Sequence, residues 1–235
     1  MAYDPQTPYG YADTAASTLA SESARVFMQR VYAWMTAGLA LTGGVAFAVA
    51  QSPAAMRAIL PLQFPLMIGT LILVFAFSFL APKVNGAIAA SMFLGYAFLN
   101  GLFFSVIFLV YSLGSITSAF FVTAGAFAAL SAYGTLTKKD LSAWGTFLFI
   151  GLVGVVLSGI VNIFVQSSML SFVTSCATVL VFAGLTAYDT QKLRTYHASS
   201  GYSSATSLAV TGALMLYLDF INMFLAILRL FGKRR

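Results

Sequence analysis

Two aspartates lie in stretches of sequence that are otherwise apolar. Asp219 is the only charged residue between His197 and Arg229, and Asp189 closes an apolar run that begins near Leu170. A carboxylate in lipid-facing sequence costs several kcal/mol unless it is buried, paired or protonated. Two such residues in one chain therefore predict a buried site that handles protons or cations.

The other acidic residues do not belong to apolar segments. Of six acidic residues in the chain, Asp4, Asp13 and Glu22 lie near the N-terminus and Asp140 lies in a polar loop. Two neighbouring carboxylates in a low dielectric cannot both ionise cheaply, so they share a proton and titrate as a unit. Loss of that proton creates repulsion, together with a site for an oxygen-seeking cation such as Ca²⁺.

Composition places these carboxylates in a polytopic, all-α membrane protein. The chain has 235 residues, of which 60% are hydrophobic and 8% charged, and this excludes a soluble domain. The basic residues behind the net charge of +6 are scattered over short loops, which indicates topology signals and no nucleic-acid partner. One histidine and one cysteine, Cys176, leave no metal cluster, disulfide or Ser-His dyad, and no resident cofactor is predicted.

The hydropathy pattern divides the chain into a tail and one membrane domain. Residues 1–24 are predicted to be a disordered N-terminal tail, and residues 25–235 a transmembrane domain. Seven apolar segments are long enough to cross a bilayer. They are residues 31–50, 62–80, 86–110, 114–135, 144–165, 170–190 and 206–228.

Charge counting predicts that the N-terminus is cytoplasmic. With seven crossings, the inner loops carry seven Lys and Arg residues and the outer ones five. A re-entrant last segment would make the ratio eleven to one, so the count alone leaves that segment open. We expect a full seventh crossing because no Gly or Pro interrupts residues 214–228.

The two aspartates are spaced so that they can meet across a helical hairpin. They are 30 residues apart, and the polar break at residues 199–204 lies about midway between them. If the turn centres near Ser204, Asp189 and Asp219 share a level in antiparallel helices. We therefore predict oxygens within hydrogen-bond reach, either directly or through one water.

The motifs around both aspartates resemble the transmembrane Bax inhibitor motif family, and more specifically its bacterial members. Residues 184–193 read GLTAYDTQKL and residues 216–222 read LYLDFIN. Supporting motifs are FMQRVY at 27–32, KKDL at 138–141 and NIF at 162–164. The resemblance covers residues 25 to 231.

The resemblance implies a seven-helix bundle with the last helix central, in the bacterial inner (plasma) membrane. It also implies that Asp189 and Asp219 sense pH and control a Ca²⁺ leak. Some relatives carry arginines at the cytoplasmic end of the second helix, where this chain has only Lys83 after the sequence FLAP. A contact between such an arginine and the carboxylate pair is therefore not expected in this chain.

Three further residues are candidates for supporting the aspartate pair. Asn222 follows Asp219 by three residues on the same helical face, where it could orient the carboxylate or simply pack. Lys192 could hold Asp189 in an ion pair at the membrane surface. Tyr188 lies beside Asp189, where an ordinary packing or interfacial aromatic is the simpler interpretation.

Three functions are compatible with these residues. The first is a pH-gated cation leak channel. The second is a non-catalytic regulator, since bacterial relatives include a protein that restrains the membrane-bound protease FtsH and eukaryotic relatives modulate cell death. The third, an intramembrane aspartyl protease, is disfavoured because its Gly-x-Gly-Asp motif is absent and no proline follows Pro82. The chain is therefore predicted not to be an enzyme, with membrane lipid and Ca²⁺ or another cation as partners.

Overall fold

The structure is a computed structural model that describes the backbone of residues 9–196 and 204–235, and the side chains of residues 23–195 and 204–235. Within these ranges the molecule is an α-helical bundle. A short 3₁₀ turn, Leu60–Leu62, joins the helix Pro53–Ile59 to the helix Gln63–Leu80. The helices are α1 (Tyr9–Gln51), α2 (Pro53–Ile59), α3 (Gln63–Leu80), α4 (Gly86–Phe104), α5 (Ile107–Val110), α6 (Leu113–Leu136), α7 (Ser142–Val165), α8 (Ser168–Tyr196) and α9 (Ala205–Phe231).

These helices make seven candidate membrane spans in the described part of the chain, which confirms the seven segments predicted from hydropathy. Pro53–Leu80 forms the second span and Gly86–Val110 the third. The seventh span, Ala205–Phe231, is one unbroken helix of 27 residues. At 1.5 Å per residue it is about 40 Å long, so it is long enough for the predicted full crossing.

Polar side chains between the apolar segments set where several helices begin. Ser204 caps α9 by accepting a hydrogen bond from the Ser207 N–H at 3.0 Å, and Asn85 caps α4 by accepting one from the Ile88 N–H at 2.9 Å. Such caps satisfy backbone donors that have no partner within the helix. The breaks that hydropathy predicts are thus also defined by local hydrogen bonding.

The last helix is the centre of the bundle, as the resemblance implies. It contacts α1, α4, α6 and α8. Of its most hydrophobic window, 61% is buried, compared with 6% for the spans that contain α3 and α7. Seventeen residues of α9 are buried, and Leu216 and Tyr217 have no exposed surface. The buried residues of this helix, Asp219 among them, are therefore positioned by neighbours on several sides.

The first helix extends beyond the first apolar segment. It begins at Tyr9, whereas the apolar segment begins at residue 31. Residues 15–24 contain Ala, Leu, Ser, Thr and Glu but no Gly or Pro, so nothing in them interrupts a helix that continues from the first span. Residues 1–8 lie outside the described part of the chain, and the domain boundary remains a prediction.

Candidate functional site: two buried carboxylates

Asp189 lies near the end of α8, where α6 packs against it closely. Gly134 of α6 sits directly on the Ala187 backbone, and a Cβ at Gly134 would lie 3.0 Å from the Ala187 carbonyl carbon. The Ser131 and Thr190 hydroxyls share a hydrogen bond of 3.1 Å across the same interface. These contacts fix the last turns of α8, and they leave Asp189 with 9% of its surface exposed.

The loop between α6 and α7 is hydrogen-bonded to the same end of α8. Gln191 accepts a hydrogen bond from the Leu141 N–H and donates one to the Lys139 carbonyl, each at 2.8 Å. One turn later, Arg194 donates to the Thr135 carbonyl. Gln191 follows Asp189 by two residues, so the loop and the carboxylate are held by one stretch of helix.

Asp219 lies on the central helix and is more deeply buried than Asp189. Only 3% of its surface is exposed. Its Oδ2 atom is fully buried and has no hydrogen-bond partner in the described part of the chain. A buried polar atom without a partner carries the full cost of its lost hydration, and a carboxylate oxygen carries more than most groups. Such an atom is expected where a proton, an ion or a water binds.

Tyr217 anchors α9 two residues before Asp219. Its hydroxyl lies 2.8 Å from Thr42 Oγ1, and Thr42 donates its own proton to the Ala97 carbonyl at 2.8 Å. Because a hydroxyl has one proton, Tyr217 must be the donor to Thr42. The Tyr217 ring also packs edge-on against Phe93 and Tyr96, with centroid distances of 5.8 Å in both pairs. Tyr217 thus packs in the core and does not bind at the carboxylate pair.

The helices that carry the two carboxylates pack closely against each other. A Cβ at Gly212 of α9 would lie 2.9 Å from the Leu193 side chain of α8. Leu193 follows Asp189 by four residues, so this close contact lies about one turn from Asp189. That the two carboxylates share a level remains a prediction.

The two carboxylates are nevertheless close enough for their charges to interact directly. Lys192, one turn after Asp189, also acts on that carboxylate electrostatically. Hydrogen-bond contact between the two aspartates, direct or through water, remains a prediction. The predicted turn at residues 199–204 lies outside the described residues, apart from Ser204.

The three supporting candidates have different positions. Asn222 donates from Nδ2 to the Leu218 carbonyl of its own helix at 2.8 Å, and no hydrogen bond joins it to Asp219 in the described part of the chain. Short polar side chains within helices commonly make this bond to the preceding turn. Lys192 lies with Nζ 5.5 Å from the Tyr188 ring centroid. Tyr188 faces α7, where its hydroxyl would lie 2.8 Å from a Cβ at Gly145.

Sequence reasoning missed two residues that position the site. Gln191 lies within the GLTAYDTQKL motif, but its bonds join it to residues about fifty positions earlier. Thr42 is separated from Tyr217 by 175 residues. Only the proximity of Gln191 to Asp189 could have drawn attention to it, and no signal in the sequence marks Thr42.

Two neighbouring carboxylates offer oxygen atoms to a proton or a cation. In the described residues no group of three His, Cys, Asp or Glu side chains is arranged to hold a metal ion. Calcium takes six to eight oxygen ligands. Two carboxylates supply only part of that number, so waters or backbone carbonyls would have to complete the shell of a bound Ca²⁺.

Fold and site together define an integral membrane protein that has, in its described part, seven apolar helices and two buried carboxylates, one in the middle of the central helix and one near the end of α8. Residues 24–235 match the family described as "Inhibitor of apoptosis-promoting Bax1". The chain belongs to this Bax inhibitor family.

Relatives in several bacteria are similar over nearly their whole length. A Deinococcus radiodurans protein described as uncharacterized is 46% identical over 215 residues, which cover 91% of this chain and 93% of the relative. The inner membrane protein YbhL of Escherichia coli K12 is 43% identical over 217 residues, covering 90% and 93%. A Borreliella burgdorferi protein is 37% identical over 214 residues, covering 89% and 92%.

Proposed function

We propose that this protein is a pH-sensitive cation leak channel that passes Ca²⁺, with Asp189 and Asp219 as its proton sensor. The observation that carries the proposal is the Asp219 carboxylate. It lies on the central helix, it is 3% exposed, and one of its oxygens has no partner in the described part of the chain. Asp189 is its electrostatic neighbour. Ionisable residues inside membrane helices commonly mark ion or proton pathways.

The chemistry of the pair links proton binding to cation binding. With a proton between them, the two carboxylates carry one negative charge and can remain buried together. Without that proton they repel each other and attract a cation, so each event changes the affinity for the other. Because the pair alone offers few of the oxygens that Ca²⁺ requires, binding would be weak enough for the ion to leave, as conduction needs.

In such a channel, the apolar packing beyond Asp219 would block the ion path and represent a closed state. From Asp219 towards the far end of α9, Phe220, Met223, Phe224 and Leu228 are all buried and apolar. An ion crossing this layer would lose its hydration without gaining ligands. Opening therefore requires α9 to move relative to the helices around it, and a change of charge at Asp219 would act on that same helix.

The test is Ca²⁺ flux into proteoliposomes, measured as a function of pH. Asp189→Asn and Asp219→Asn keep the shape of the side chain but cannot titrate. We expect both variants to flatten the pH response, because each replaces one carboxylate of the pair with a group that cannot bind or release a proton. Asp140→Asn is the matched control, since it makes the same replacement at an exposed residue outside the helices, and it should retain the wild-type profile.

The outcome also decides between channel and regulator. If both buried variants leak with the wild-type pH profile while remaining folded, the aspartates are structural. A non-catalytic regulator that binds a membrane-bound protease such as FtsH then becomes the better proposal. Neither proposal includes catalysis, because the motif at Tyr217 and Asp219 lacks the Gly-x-Gly-Asp pattern of intramembrane proteases.

We further propose that the protein lies in the bacterial inner membrane with its N-terminus in the cytoplasm. The seven-to-five distribution of basic residues supports this orientation. In a Cys176→Ser background, Ser142→Cys at the start of α7 should resist an impermeant thiol reagent added to spheroplasts. Gln51→Cys, at the opposite end of the first span, should react. Ready labelling at position 142 with protection at position 51 would reverse the topology.

A further inference from the structure

A polar cavity lies at the opposite end of the bundle from Asp189. It has a volume of about 370 Å³ and opens between the α7–α8 turn and the end of α9. Hydroxyl, amide and guanidinium groups form most of its wall. They belong to Asn162, Gln166, Ser168, Ser171, Arg229 and Arg234. A polar cavity of this size is unusual in a chain whose surface is otherwise mainly apolar.

One wall of the cavity is a tightly built turn. Gln166 adopts a left-handed conformation, with φ 53° and ψ 32°, which non-glycine residues rarely adopt. Asn162 Oδ1 accepts a hydrogen bond from the Ser167 N–H at 3.0 Å, and Ser167 Oγ accepts one from the Leu170 N–H at 3.3 Å. The turn is therefore a fixed structure, and α8 begins at the cavity edge.

The opposite wall is the C-terminal segment, which is held in place by its backbone. The Ser112 N–H donates to the Lys233 carbonyl at 3.2 Å, and the Arg235 N–H donates to the Val110 carbonyl at 3.0 Å. The Lys233 N–H donates to Ser115 Oγ at 2.9 Å. Arg234 lies between these anchored residues, so its side chain starts from a fixed backbone position beside the cavity.

The charged side chains at this end of the bundle are basic. No Asp or Glu side chain lines the cavity. Among the described residues, the Arg229 and Arg234 guanidinium groups make no hydrogen bond or ion pair. The described acidic side chains are Asp140 in the loop at the other end, Asp189 near that end, and Asp219 within the central helix. Two arginines with ten N–H donors thus line a cavity that has no acidic side chain in its wall.

We propose that this cavity binds a phosphate-type oxyanion, supplied by an anionic phospholipid headgroup or by free phosphate. Arginine forms paired hydrogen bonds to phosphate oxygens, and the hydroxyls of Ser168 and Ser171 add donors on the opposite wall. The start of α8 favours negative charge at the same place. Strongly exposed apolar side chains flank the cavity, including Phe164 at 81%, Met169 at 69% and Phe231 at 79% exposed. They place it where a bilayer presents its headgroups.

Full-length protein in an uncharged detergent can test both sources. In the lipid arm, native mass spectrometry measures retention of phosphatidylglycerol against phosphatidylcholine. In the second arm, thermal unfolding is compared in inorganic phosphate and in chloride at equal ionic strength. Arg229→Gln with Arg234→Gln removes two charges from the cavity. Lys233→Gln with Arg235→Gln removes two charges from the same segment but outside it.

The cavity variant should lower the apparent affinity about tenfold or more, and the control pair less than about twofold, because only the first pair loses charge-assisted hydrogen bonds. Ser171→Leu fills the cavity without changing its charge and should reproduce the loss. Agreement between this variant and the arginine variant would show that the loss does not come from a folding defect. A loss confined to the lipid arm identifies a headgroup, and one confined to the phosphate arm identifies free phosphate. Equal losses in the two charge variants, or none in either arm, would overturn the proposal.

Discussion

The central helix α9 and the peripheral helix α7 are both long enough to cross a membrane, yet their surroundings are opposite. The mean hydropathy is 1.8 for the best window of α9 and 2.6 for that of α7, but the buried fractions are 61% and 6%. In α7 only Leu148 is buried, whereas α9 buries Asp219 and most of its length. The less hydrophobic helix therefore occupies the core.

The difference follows from lipid as the solvent. Lipid chains are as apolar as leucine, so hydrophobicity alone does not drive one membrane helix against another. Close packing and hydrogen bonds between helices do, and a carboxylate must be kept away from lipid. A helix that carries Asp219 is consequently placed among others, and the most apolar helices face the lipid.

The largest test of this contrast uses two glycines. Gly134 packs on the Ala187 backbone, which cannot move aside, whereas a Cβ at Gly154 of α7 would meet nothing within 4 Å. Gly134→Leu should destabilise the fold by about 3 kcal/mol, and Gly154→Leu by less than about 0.5 kcal/mol. Reversible unfolding in mixed micelles measures both. Equal costs would show that α7 is packed as tightly as the core.

A smaller effect is expected from two tyrosines. Tyr217→Phe removes the buried hydrogen bond to Thr42 and should cost about 0.6–1 kcal/mol. Tyr133 of α6 is 49% exposed, so Tyr133→Phe should be nearly neutral. The same unfolding assay applies to both. A neutral Tyr217→Phe would mean that ring packing alone, and not the hydroxyl, holds α9 against α1.

The smallest effect concerns Asp140, an acidic residue whose side chain is described and lies outside the membrane spans. Hydrogen bonds from the Ser142 backbone and side chain lower the pKa of Asp140 below its ordinary value of 3.8. A lowered folded-state pKa means that this contact stabilises the protein at neutral pH and that the contribution is lost as pH falls through the folded pKa. Carbon NMR of labelled aspartate should show Asp140 titrating below 3.8, and Ser142→Gly should return it towards that value by removing the side-chain bond. A midpoint at or above 3.8 in the wild type would contradict the hydrogen-bonded arrangement.

Much of the fold was predictable because membrane helices can be recognised from the length and composition of apolar segments. The seven segments, the unbroken helix after Ala205 and the unusual character of Asp189 and Asp219 all follow from local sequence. The resemblance implied the central position of the last helix, and the structure confirms it. The hydrogen bonds by which Gln191 connects α8 to the preceding loop were not predictable. They are made to the backbone of Lys139 and Leu141, and any residue type can supply a backbone group.

The hydrogen bond that Asn222 makes could not be predicted from its spacing. Asn222 has the spacing to reach Asp219, yet its donor bonds the Leu218 carbonyl of its own helix. Periodicity identifies residues on the same face, but it does not identify which acceptor a side chain uses.

The sequence by itself determined that this chain crosses a membrane with seven helices and that two carboxylates must be removed from lipid. Those properties follow from hydropathy summed along the chain and from the cost of burying a charge, neither of which needs a third dimension. The tertiary structure decided which helix is central, that the two carboxylates are neighbours, and that Arg229 and Arg234 line one cavity with Ser171. These depend on helix register and on contacts between distant segments, which are set by the shapes of side chains once they pack together.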